Sequence, residues 1–175
     1  NRRGHDVAAT RAAMAVLREV GFKIHAHWMP NLYGSSPQAD VEDFECLFSD
    51  RDFRPDELKI YPCSLIESAE LMDYYQKGAW RPYEHEELLE LLSRCLELTP
   101  AYCRVSRIIR DIPGTNIVVG NRVTNFRQLV EARVQREGVE LVEIRSREIG
   151  SESVDEGDLK VETIEYESCR GQELF

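Results

Sequence analysis

Three short segments read as strands and alternate with longer helical stretches: FKIHAHWMP (22–30), a stretch around Leu58–Tyr61 within RPDELKIYPCSLI (54–66), and YCRVSRII (102–109). This alternation constrains the chain more than any other feature. Strands repeat every two residues and helices every 3.6, so each stretch suits one element and not the other. Strands joined through a helix pair in parallel, because the connection must travel back along the sheet. Strand, helix, strand, helix, strand therefore predicts an α/β fold of βαβ units, with parallel buried strands and right-handed crossovers.

The helical stretches carry their own signals. Asp6 is expected to cap VAATRAAMAVLREV, and Gly21 to stop it. Asp40 is expected to precede a helix over VEDFECLF, and Ser68 to begin one over AELMDYYQKG. HEELLELLSRCLEL carries a core-facing stripe of Leu88, Leu89, Leu91, Leu92, Leu96 and Leu98, closed by Thr99–Pro100. Beyond Arg110 the character changes. DIPGTNIVVGNRV reads as a loop, Thr124 as the cap of NFRQLVEARVQRE, and Gly138 as its stop. ELVEIRSREI is strand-like, and KVETIEYESC alternates as an edge or hairpin strand. A boundary is expected near residues 114–122, dividing 1–115 from 116–175.

Hydrophobic content of 42% beside 31% charge is the composition of a chain that can bury a core. No run approaches the roughly 18 apolar residues of a membrane helix, and NRRGHD lacks the apolar heart of a signal peptide. The expectation is a cytoplasmic protein with no membrane partner. The first residue is not Met, which suggests part of a longer polypeptide. Cys46, Cys63, Cys95, Cys103 and Cys169 show no two-to-four-residue gap of the chelating kind, so they are expected as reduced thiols, mostly small core residues.

Ligands in open α/β sheets and barrels meet the carboxyl ends of the strands. His25 and His27 share one strand face there, as half of a metal site or as hydrogen-bonded interior histidines. Lys59 and Tyr61 likewise share a face. A lysine on a buried strand must be paired, face a ligand or reach solvent.

The stretch from Arg104 to Arg136 gathers seven arginines, Arg104, Arg107, Arg110, Arg122, Arg127, Arg133 and Arg136, against Asp111 and Glu131 alone, in a chain of formal charge −10. Counting by two sets Arg107 on the face opposite Arg104 and Arg110, while the helix sets Arg133 near Arg136. Such a run either steers a polyanion or pairs with the surplus acids. Only Phe126 is interleaved, so phosphate contact is favoured over base stacking.

FKIHAHWMPNL, FRPDELKIYPCSLI, YCRVSRIIRDIPGTNIVVG, TNFRQL and EIRSREIG, in this order, resemble consecutive blocks of the family of Elongator catalytic subunits in bacterial or archaeal form. The resemblance runs along nearly the whole chain. It implies the C-terminal half of a radical-SAM partial (β/α) barrel with parallel strands, followed by an α+β linker leading into a GNAT-type acetyltransferase domain. The implied activity is tRNA wobble-uridine carboxymethylation at carbon 5. Its implied cofactors are S-adenosylmethionine, a [4Fe–4S] cluster and acetyl-CoA, with the cofactors carrying the hard chemistry.

By position, the resemblance assigns Lys59 and Tyr61 catalytic roles, and His27, Lys59 and Tyr61 cofactor handling. It assigns Arg104, Arg107, Arg110, Arg145 and Arg147 to the tRNA backbone of the anticodon stem-loop. His25 has no family equivalent. The cluster-binding cysteine motif is missing from this sequence, and CRGQELF resembles only the lead-in to the acetyltransferase domain. VELVEIRSREIG lacks the cysteines some microbial relatives carry, so no zinc is expected at that place, and no residue of the chain is assigned as a metal ligand. Arg110 and Asp111 have a second reading, as a buried ion pair joining barrel to linker. Elongator-type subunits or a second copy are the protein partners implied. Two other classes stand beside this one: a tRNA-binding module without catalysis, and a structural α/β domain whose arginines serve packing within a multisubunit assembly.

Overall fold

The structure, a computed structural model, describes residues 4–109, 112–151, 153–155, 157 and 159–175. β1 (His25–Trp28), β2 (Glu57–Ile60) and β4 (Arg104–Ile108) form one parallel sheet in the order β1-β2-β4. The expected βαβ pattern with parallel strands is present. α2 (Pro37–Ser49) connects β1 to β2, and α4 (His85–Leu98) lies between β2 and β4 in the chain.

One face of the sheet is the core. Trp28, Leu58, Ile60, Val105 and Ile108 pack beneath Phe44 of α2, the leucines of α4, and Phe126 and Val130 of α5 (Phe126–Arg136). Leu88, Leu89, Leu91, Leu92 and Leu96 are buried as the stripe predicts, and Leu98 is partly buried. At about 25 cal/mol per Å² of apolar surface, this layer supplies the main driving force for docking the helices. α1 (Val7–Glu19) is capped by Asp6, whose carboxylate accepts the Ala9 N–H at 2.8 Å. It contributes Met14 to a smaller cluster with Ile24 and Cys169.

Several local expectations are corrected. α2 starts at Pro37 behind the cap Ser36, which places Asp40 inside its first turn. Pro at the first helical position needs no N–H donor, so the helix begins earlier than hydrophobic spacing suggests. α3 is shorter than AELMDYYQKG implies, spanning Leu71–Gln76 with Ser68 in a preceding turn. The N-cap of α5 is Asn125 rather than Thr124.

The segment read as a loop after Asp111 holds a 3₁₀ turn and then β5 (Ile117–Val119), antiparallel to β3 (Leu65–Ile66). ELVEIRSREI is not a strand; residues Ile144–Arg147 make a 3₁₀ turn. The KVETIEYESC hairpin is present as β6 (Glu165–Ser168) against β7 (Gly171–Leu174). Cys95, Cys103 and Cys169 are buried thiols, while Cys63 is half-buried and Cys46 exposed.

Candidate functional site

The sheet face turned away from the helices is polar. Register pairs His25 with Glu57 and Glu57 with Arg104 in one row, then His27 with Lys59 and Lys59 with Arg107 in the next. Side chains at matched register project to the same side. Arg104 and Arg107 therefore share this face, contrary to the count by two. A bulge explains the difference: Leu58 pairs with Val105 and Lys59 with Arg107, so Ser106 is one residue more than β2 can match.

The rings of His25 and His27 lie 5.5 Å apart, and those of His27 and Tyr61 5.4 Å apart, both edge to face. His25 Nε2 is 3.2 Å from the Ser106 hydroxyl, and Nδ1 is 3.5 Å from Glu57. Burial holds the His25 pKa below its ordinary value, helped by Lys59 and His27 and opposed by Glu57. Among the described residues, no three His, Cys, Asp or Glu side chains converge as metal ligands.

At the carboxyl ends of the strands is a cavity of about 130 Å³, lined by Met29 after β1, Tyr61 and Pro62 after β2, Ile109 after β4, and Ile66 and Ile117 of the β3–β5 ribbon. Ile109 has φ 73°, a conformation a β-branched residue seldom adopts, and its N–H is held by the Ile60 carbonyl at 2.9 Å. Asn31, also left-handed at φ 63°, closes the chain after β1. Its N–H donates to the buried Asp40 carboxylate at 2.7 Å, which also accepts the Tyr83 hydroxyl at 2.7 Å and the Ser35 hydroxyl at 2.6 Å. Asp40 thus serves the rim loop instead of capping a helix.

The free edge of β4 is covered by the 3₁₀ turn and α5. Val105 N–H donates to Glu143 at 3.0 Å, and the Val105 carbonyl accepts from Arg127 at 2.6 Å. Ile144 N–H donates to the Cys103 carbonyl at 3.1 Å. Glu143 is 0% exposed and also accepts from Arg127 at 2.6 Å, the Ser146 hydroxyl at 2.7 Å, and the amides of Arg145 and Ser146 at 3.0 and 2.9 Å. Burial pushes its pKa up, but the bonds from Ser146, Val105 and Arg127 outweigh that, and the net shift is downward. Asp56 plays a comparable part at the other end of the sheet, accepting the Ile24 amide at 2.7 Å and pairing with Arg18 at 2.6 Å.

The arginines divide by partner. Arg104 pairs with Glu148, Arg127 with Glu131 and Glu143, and Arg133 with Glu86 and Glu137. Arg122, Arg145 and Arg147 instead bond main-chain carbonyls: Ile117 and Val118, Ser106, and Ala101 and Val142 respectively. A carbonyl fixes a guanidinium without cancelling its charge. Among the described residues, no carboxylate pairs with these three.

Of the residues singled out in the sequence, His27, Lys59, Tyr61, Arg104 and Arg107 come together on or beside one sheet face. Arg145 reaches its edge at Ser106, and Arg147 lies at the far end of that edge, by Ala101. Arg110 and Asp111, as tRNA contact or ion pair, fall outside the described residues. Glu143 and Asp56 carry no mark in the sequence reading, whereas Arg127 belongs to the arginine run and pairs with acids, as one of the two readings of that run has it. The one available signal was a Glu three residues before a Ser, the spacing by which Glu143 caps the 3₁₀ turn.

Residues 55–136 match the Radical_SAM C-terminal domain family. The chain is 37% identical over 180 residues to tRNA uridine(34) acetyltransferase of Methanocaldococcus jannaschii, covering 99% of this chain and 33% of the relative. It is 36% identical over 152 residues to human Elongator complex protein 3, covering 87% of this chain and 28% of that protein. Among solved structures, archaeal Methanocaldococcus infernus Elp3 with residues 1–46 deleted superposes with a TM-score of 0.93 at 37% identity, covering 99% of this chain and 42% of the other. The chain thus spans about a third of the length of the curated relatives it matches.

Proposed function

Because this chain belongs to the family of the proteins named tRNA uridine(34) acetyltransferase and Elongator complex protein 3, we propose that it serves tRNA wobble-uridine carboxymethylation as one part of a longer enzyme. The chain contributes the second half of a radical-SAM-type barrel and the linker that follows. A GNAT-type acetyltransferase domain beyond that linker, a cytoplasmic setting, and Elongator-type subunits or a second copy as protein partners belong to the same proposal.

The observation that carries it is the polar, helix-free sheet face. His27, Lys59 and Arg107 stand in one register row, with Tyr61 leading from His27 to the cavity at the strand ends. On this reading Lys59 and Tyr61 meet the reacting groups, and His27 orients Tyr61 through their ring contact.

S-adenosylmethionine would supply a carbon radical for addition at an unreactive base position. A cavity of about 130 Å³ is small beside the roughly 300–1,000 Å³ of a whole small-molecule site. Met29, Tyr61 and Ile109 would therefore hold one apolar part of that ligand, with Lys59 and His27 facing its polar groups. The [4Fe–4S] cluster does not fit the residues of this chain. Cys95 and Cys103 are buried with thiol pKa values pushed up by burial, Cys169 is buried, and the five cysteines lack chelating spacing. This reading gives Lys59 the polar end of the ligand in the strand-end cavity and Arg107 the tRNA, and leaves the several phosphates of acetyl-CoA chiefly to the acetyltransferase domain.

For tRNA, Arg145 and Arg147 are the best-placed contacts, since carbonyls hold their guanidinium groups and leave their charge for phosphate. Arg107 lies on the same side of the sheet, and Arg104 must first exchange Glu148 for phosphate.

The test uses the full-length protein. Lys59→Met and Tyr61→Phe should each abolish or reduce by at least tenfold the modified uridine recovered from tRNA, read by nucleoside mass spectrometry, while tRNA affinity stays within twofold. Unchanged product in both variants would reject the site.

A further inference from the structure

We propose that the buried Glu143–Arg127 pair is a positioning device that stands in for a fourth strand along β4 and thereby holds Arg145 and Arg147 against the edge of the polar sheet face. This deepens the proposed function and rests on it only for the identity of the bound polyanion.

The main-chain accounting at β4 supports the inference. An edge strand leaves N–H and carbonyl groups that another strand would normally satisfy. Here Glu143 accepts the Val105 N–H and Arg127 donates to the Val105 carbonyl, so two side chains reproduce the paired bonds of a neighbouring strand. The pair is internally joined at 2.6 Å, and Glu143 is wholly buried while Arg127 is 11% exposed at its side chain.

The consequence lies in the chain that follows Glu143. Its carboxylate also binds the amides of Arg145 and Ser146, which winds residues Ile144–Arg147 into a 3₁₀ turn. In a true strand these two adjacent amides would point to opposite sides, and only one could join the ladder with β4. The turn instead lets Arg145 reach the Ser106 carbonyl near the polar face and Arg147 the Ala101 carbonyl at the opposite end of the same edge. One buried acid thus fixes two exposed cations relative to the row that holds Lys59. Glu143 and Arg127 touch no ligand themselves and act through these neighbours.

The experiment uses the full-length protein with Glu143→Gln, and Arg136→Ala as a surface control. Hydrogen exchange is measured first, without tRNA. The expected result is a joint rise in exchange, at least tenfold, in residues 103–107 and 143–148 of Glu143→Gln. A change confined to 143–148 would overturn the clasp. Tryptophan fluorescence against temperature establishes that the variant is folded; should it not be, Glu143→Asp keeps the charge, shortens the reach, and is held to the same criteria.

Titration with an anticodon stem-loop over a salt series follows. Affinity should fall about tenfold, and the log–log salt slope should shrink by about 1 to 2, as two phosphate contacts are loosened. Arg136→Ala should leave both within twofold of the parent. Unchanged affinity and slope in a folded variant with raised exchange would overturn the positioning role. If the parent protein itself fails to bind the stem-loop, the tRNA reading fails, and the exchange result still decides the clasp.

Discussion

The ring of Tyr166 stacks on that of Tyr102 with centroids 3.7 Å apart and planes 10° from parallel, and its hydroxyl donates to Asp56 at 3.3 Å. The β6–β7 hairpin is thereby fastened to the residues that lead into β2 and β4. Removing the ring in Tyr166→Ala should cost about 2–3 kcal/mol, from lost stacking and lost burial. Tyr166→Phe, which loses only the hydroxyl bond, should cost about 1 kcal/mol. Denaturant midpoints for the two variants check the order; equal losses would mean the stacking contributes nothing.

Gly120 follows β5 at φ 127°, and a Cβ built there would meet Ser64 atoms at 3.0 to 3.1 Å. Both the backbone conformation and the close approach demand glycine. Gly120→Ala should destabilise by about 2 kcal/mol, the scale of local backbone strain. Because Ser64 and Asn121 line the strand-end cavity, the same variant should also weaken ligand binding there. Thermal melting and ligand titration measure the two effects separately.

His25 titrates below its ordinary 6.5, with burial as the leading cause and Lys59 next. The unfolded chain therefore takes up this proton more readily than the folded one. The linked stability is complete above about pH 6.5 and declines as the pH falls from there towards the folded midpoint. Lys59→Met should move the His25 midpoint upward in an NMR titration. A downward move would show that Lys59 does not act on His25 as its register position implies.

Glu87 is held at about 2 by the Arg81 guanidinium, with further help from the Glu84 amide. Two bonds of 2.7 Å join the acid to Arg81 at the start of α4. A lowered carboxylate pKa stabilises above the unfolded value of 4.5, and that contribution is lost as the pH falls from 4.5 towards 2. In Arg81→Ala the Glu87 midpoint should return most of the way to 4.5, as read by carboxyl carbon shifts.

Charge reversal should separate the two kinds of arginine. Arg147→Glu should weaken tRNA binding alike for all tRNAs and reduce the salt slope by about 1 per lost phosphate contact. Arg133→Glu, at a position already matched by Glu86 and Glu137, should leave affinity nearly unchanged. Equal effects would remove the distinction between carbonyl-held and carboxylate-paired cations.

How much was legible varied with the range of the interactions. The leucines of α4 reported their own burial, because an amphipathic helix needs only one apolar partner of any kind. The parallel pairing of β1, β2 and β4 followed from connection length. Ile117–Val119 reads as loop in the sequence, because a three-residue strand is defined by the partner it finds, here Leu65–Ile66. ELVEIRSREI alternates like a strand, yet Glu143 collects donors from Val105, Arg127 and its own turn, and those bonds outweigh a weak local preference. Arg107 stands on the face opposite to the one that counting by two gives, because that count assumes an unbroken ladder and Ser106 breaks it.

Local spacing and contiguous motifs sufficed for the three parallel strands and their order, the buried stripe of α4 and the family, but not for the β3–β5 ribbon, the turn at Ile144–Arg147 or the starts of α2, α3 and α5. Tertiary structure alone decided which arginines are spent on carboxylates and which keep their charge, and it decided that Arg104, Arg107 and Lys59 share a face. The reason is physical: a charge is cancelled or retained by whatever lies within a few ångströms of it, and those neighbours come from segments as far apart as Val105 and Glu143.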